Sequence, residues 1–179
     1  MFASLVQGPL LRLFSVGVVL LAVQRTLFTD VRPAGVSLQV LLALAAAAGA
    51  AGGPQKGALA GFVLGLLYDL SVGTPLGSSS IAMGMGGYAA GYVTSITVEP
   101  QWWLAALFTG LGAAVGEALV PVIRAFVGED HAFDPRYGLG VAVVAIGAMV
   151  MSPLLVPVGR WCMRVKRTPW KAPPQEEPA

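Results

Sequence analysis

The chain has 179 residues, enough for one domain of a few helices, and only 11% of them are charged while 56% are hydrophobic. Soluble domains carry roughly 25% charged residues, so this chain lacks the polar surface to clothe a globule in water, and its mean hydropathy of +0.75 agrees. A net charge of +2, with the cations not gathered in one stripe, excludes a nucleic-acid binder, and a single cysteine, Cys162, excludes an internal disulfide or a cysteine-based metal site.

What remains is an all-α integral membrane protein, because a helix satisfies its own backbone hydrogen bonds in lipid. A crossing helix needs roughly 17–25 apolar residues, and six apolar segments are expected, each bounded by charge, Pro or Gly. The first covers 9–28, bracketed by Arg12 and Arg25, whose long side chains can reach toward opposite surfaces. No basic n-region precedes it and no small-x-small cleavage site follows Phe28, so it is expected to stay as a span rather than be removed as a signal peptide. A turn at Arg32-Pro33 leads to the second, 36–52, with the alanine run 45–48, which ends at Gly52-Gly53-Pro54-Gln55-Lys56. The third covers 57–72 and carries Asp69; a turn at Gly73-Thr74-Pro75 leads to the fourth, 76–98. The fifth, 102–126, carries Glu117 and Pro121. After a polar loop over 128–136 that holds the lone histidine, His131, the sixth covers 138–159. A basic and then Pro-rich tail, 161–179, follows the single transmembrane domain, 1–160, and is expected to be disordered. Merging the third and fourth segments, or demoting the first, gives five spans in place of six.

Lysine and arginine near span ends set orientation. With six spans the two termini share a side, which carries Arg12, Lys56, Arg160, Arg164, Lys166, Arg167 and Lys171; the other side carries Arg25, Arg32, Arg124 and Arg136. The tail decides the comparison and makes the termini cytoplasmic. Trp102, Trp103 and Trp161 then form an aromatic belt at the cytoplasmic interface.

Gly57, Gly61, Gly65, Asp69, Gly73 and Gly77 recur at an unbroken spacing of four, a ridge of small residues that leads to an acid. Small residues let helix backbones approach closely in lipid, and Gly87-x-x-x-Gly91 and Gly112-x-x-x-Gly116 repeat the device. Two readings stand side by side: packing within one monomer, and a face for a partner helix. Asp69 is read as a structural pin, with Pro75 and Gly77, that caps the start of the fourth span or pairs with Arg25 or Arg124. Glu117 is read as a buried polar residue beside a kink, because Pro121 removes the N–H that its carbonyl expects; a proton or substrate site is the sharper alternative. No GxSxG, HExxH, Walker A or paired-carboxylate motif is present, so no enzyme activity, metal or cofactor is expected.

The segment 57–92 resembles the rod shape-determining MreD family: Gly57, Gly61 and Gly65, then Leu66, Asp69 and Leu70, then Pro75, Leu76 and Gly77, followed by an apolar span. This covers about a fifth of the chain, and the rest resembles the family only in length and span layout. The resemblance implies a non-enzymatic scaffold of the bacterial inner membrane. It would bind MreC and work beside the MreB filament, RodA and a class B penicillin-binding protein in lateral peptidoglycan synthesis. The basic tail lies outside that pattern. Such proteins are similar in layout to the six-helix substrate-binding subunits of energy-coupling-factor importers, so a vitamin-binding subunit is the alternative, although the first span lacks the Ala-x-x-x-Ala docking signature. On the scaffold reading, the third and fourth spans receive MreC. Leucine at Gly61 or Gly65 is then expected to weaken that contact while sparing insertion, and Asp69→Asn is expected to be tolerated if Asp69 only caps the turn, and to abolish folding if it forms a buried ion pair.

Overall fold

The structure, a computed structural model, describes residues 8–27, 37–96, 101–128 and 137–163. The Arg32-Pro33 turn, positions 129–136 of the polar loop with His131, and the tail beyond Met163 lie outside the described residues. Among those described there is no strand. Seven helices follow in order: α1 (Pro9–Leu27), α2 (Val40–Gly52), α3 (Pro54–Val72), α4 (Ser78–Gly91), the short α5 (Val93–Ile96), α6 (Trp102–Val127) and α7 (Tyr137–Cys162). Three of them, α1, α6 and α7, are long and apolar enough to cross a membrane.

The bundle is built around α2. Every residue from Val40 to Ala51 is buried, as expected of a helix apolar on all sides. Around it run α3, α4, α6 and α7, each against the next, and α1 closes the ring between α7 and α3. Alanine makes this possible, because a methyl group holds neighbouring backbones apart far less than leucine does. A Cβ placed on Gly159 of α7 would lie 2.9 Å from the Ala48 Cα. Leu41, Leu42 and Leu44 supply the bulk that fills the gaps between the surrounding helices.

Several boundaries differ from the sequence reading, each for a local reason. α2 begins at Val40 rather than 36 and has 13 residues, ~20 Å of helix. The run at 52–56, read as a break, is instead where α3 starts. Pro54 occupies the first turn, where its missing N–H costs nothing. Gly53 alone links α2 to α3, at φ +94°, a conformation open to glycine. The fourth span is interrupted: α4 ends at Gly91 and α5 resumes at Val93 after a turn at Tyr92. α7 continues to Cys162, past the boundary drawn at 160, and Cys162 is buried in the core.

The helices alternate in direction. At one end Arg12 lies 5.1 Å from the centre of the Trp161 ring, and a Cβ on Gly53 would lie 3.2 Å from Thr94 Oγ1. At the other end the Val40 N–H donates to Gln24 Oε1 at 3.0 Å. That bond satisfies one of the orphan donors that begin every helix, with a side chain from α1.

Candidate functional site

The glycine ridge of α3 packs against α4, antiparallel and in register. A Cβ on Gly57 would overlap the carbonyl of Gly87, one on Gly61 the carbonyl of Met83, and one on Gly65 would fall 2.6 Å from the Ser79 carbonyl oxygen; one on Gly91 would reach the backbone of Gly53 and Pro54. Gly49 of α2 joins the same crossing, since a Cβ there would also overlap the Gly87 carbonyl. Gly49, Gly57 and Gly87 thus mark a point where three helix backbones converge. Gly112 and Gly116 serve the seams of α6 with Ala90 and Gly86 of α4 and with Leu42 of α2. The ridge is therefore covered by this chain's own α4, and leucine at Gly61 or Gly65 would force α3 and α4 apart before any partner is reached.

The ridge ends at Asp69, where the chain turns into α4. Its carboxylate is 1% exposed. Oδ1 accepts from Thr74 Oγ1 at 2.8 Å and the Ser79 N–H at 3.1 Å, with Ser78 Oγ at 3.4 Å; Oδ2 accepts from the Gly77 N–H at 2.9 Å. The carboxylate thereby satisfies donors at the start of α4, as an N-cap does, although it comes from the preceding helix. Asp69 also holds the other side of the turn, its backbone carbonyl accepting from the Gly73 N–H at 2.9 Å. Gly73 and Gly77 adopt φ of +77° and +100°, which favours glycine, and the Pro75 carbonyl accepts from the Ser78 N–H at 3.1 Å. Both carboxylate oxygens are engaged, so Asp69 has little remaining capacity to take a proton from a substrate.

Glu117 lies at the same end, half-buried on α6. Its Oε2 accepts from Gln39 Nε2 at 2.6 Å. Pro121 is helical, and the Glu117 carbonyl it deprives of a partner accepts from the Tyr137 hydroxyl at the start of α7. One residue thus joins α2 by its side chain and α7 by its backbone. Beside it a cavity of about 30 Å³ is lined by Gln39, Tyr68, Ser79 and Arg124 among others, space for one water molecule. Gln24, Gln39 and Tyr137 were not singled out in the sequence. The available signals were two glutamines within or beside apolar runs and a carbonyl known to need a donor. Which donor answers it depends on distant parts of the chain.

Among the described residues no three His, Cys, Asp or Glu side chains converge as metal ligands would. No family model matches the chain, and neither does any curated protein or any solved structure.

Proposed function

We propose that the protein is a non-catalytic membrane scaffold of the bacterial wall-elongation complex, acting as MreD proteins do by holding an MreC-like partner, and through it the synthetic enzymes, in register. The observation that carries this reading is the 57–77 segment. The residues that resemble the family, the glycine ridge and Asp69 with its turn, are the ones that lock α3 to α4. Their polar and small groups are used within the chain, which suits a rigid support rather than a reactive centre.

On this reading all six longer helices cross the inner membrane, with both termini in the cytoplasm. The partner helix sits not in the glycine ridge but on the outer faces of α3 and α4, where Leu59, Phe62, Leu66 and Leu70 and then Ile81, Met85 and Tyr88 are exposed at helical spacing. Deleting the gene should turn rods into spheres, and cysteines at positions 62 and 85 should cross-link to the MreC-like protein's transmembrane helix. Cells that keep their shape, together with no cross-link from either position, would refute the scaffold role. Reporter fusions after residue 179 and within 129–136 test the topology, with only the latter expected outside.

A further inference from the structure

A second surface, remote from the glycine seam, has the chemistry of a lipid site. Between α1 and α7 runs an apolar groove of about 450 Å³, lined by Ser15, Val19 and Leu20 on one side and Leu154, Val158 and Trp161 on the other. Val19 and Leu154 are 61% and 68% exposed, so the groove opens sideways. Both walls belong to helices long and apolar enough to span a bilayer, so the opening faces acyl chains. At one end stands a cation: the Arg12 guanidinium lies 5.1 Å from the centre of the Trp161 ring, which holds it by cation–π attraction. The two acids among the described residues, Asp69 and Glu117, belong to the opposite end of the bundle, so neither neutralises it.

We infer that this groove binds one acyl chain of an anionic phospholipid whose headgroup is held by Arg12. Charge complementarity selects an anionic headgroup over a zwitterionic one. The lining selects a flexible chain over a helix. Helices dock in lipid through small residues, and the glycines of these two walls that pack against neighbours face elsewhere: Gly17 points at Leu64 and Leu67 of α3, Gly159 at Ala48 of α2, Gly147 at Leu38. Apart from Ser15, whose hydroxyl is turned to the Leu11 carbonyl of its own helix, the lining is branched and aromatic, a surface that a bendable hydrocarbon can follow and a rigid cylinder cannot. The site rests on the membrane character of α1 and α7 and not on the scaffold reading.

Trp161 is a built-in reporter. In a full-length W102F/W103F/W170F background reconstituted in vesicles, phosphatidylglycerol brominated along its acyl chains should quench Trp161 with about fivefold higher apparent affinity than brominated phosphatidylcholine, the worth of one cation near a membrane surface. R12Q should bring the two lipids level and R12K should keep the preference, with helicity by circular dichroism unchanged in both. L154F, which fills the groove, should reduce quenching by either lipid. Equal quenching of the parent protein by both lipids would overturn the proposal, as would a preference that survives R12Q and so arises from the basic tail. Absence of quenching by both would mean that a second copy or another protein covers the groove, and would overturn it too.

Discussion

The α3/α4 seam and the α1/α7 seam join helices of the same bundle by opposite means. In the first, glycines bring backbone against backbone and leave no space for a methyl group. In the second, valine, leucine and tryptophan hold the helices far enough apart to leave a groove of about 450 Å³. The difference does not follow hydrophobicity, since α1 and α7 are candidate spans by length and hydropathy and α3 is not. It follows side-chain size. Where the driving force from water is missing, contact area between close-packed atoms decides which helices bind tightly, and only the smallest residues permit it.

The largest effect should come from attacking the tight seam where three helices meet. Gly57→Leu or Gly87→Leu should abolish the folded bundle, since overpacking usually costs about 1–3 kcal/mol and more where backbone must move; loss of the monodisperse peak in detergent gel filtration reads this out. Next comes the pin at the end of that seam. Asp69→Asn replaces one acceptor by a donor that faces N–H and O–H groups, and each buried donor left without a partner costs about 1–3 kcal/mol. A drop in thermal stability is therefore expected where the motif alone suggested tolerance, and an unchanged melting temperature would show the turn to be held by other means. A smaller effect belongs to the Glu117 carbonyl. Tyr137→Phe should cost about 1 kcal/mol in the parent chain and clearly less in a Pro121→Ala background, where the introduced alanine restores the helical N–H. Equal losses in both backgrounds would remove Tyr137 from that role. Smallest of all, Leu154→Phe in the loose seam should stay within about 0.5 kcal/mol, as a change into open space does.

The glycine ridge was legible because its spacing of four is local. What it packs against was not, since Gly49 and Gly87 are brought to Gly57 by turns whose geometry the pattern does not contain. Asp69 was legible as a cap for the same local reason: its donors lie within ten residues. Gln39 and Tyr137 reach Glu117 across 78 and 20 residues, and no local periodicity points to such pairs. Boundaries failed where one residue type has two meanings. Pro54 reads as a breaker after Gly52-Gly53, yet in the first turn of a helix proline is favoured. Arg160 reads as the end of a span, yet it lines a cavity of about 310 Å³ with Trp102 and Pro157, and its apolar stem lets α7 run on.

The one-residue link at Gly53 has a consequence for biogenesis. It is too short to let α2 and α3 part, so on the proposed six-span reading the two would enter the bilayer together as a helical hairpin. α2 is then committed early, while α4, α6 and α7, which will enclose it, have still to emerge from the ribosome. On that reading its alanine surface faces acyl chains until Gly159 of α7, the last of the described helices, closes over Ala48. The core is thereby complete only once α7 has been made, and a chain truncated before α7 would present to the quality-control proteases a central helix with one side uncovered.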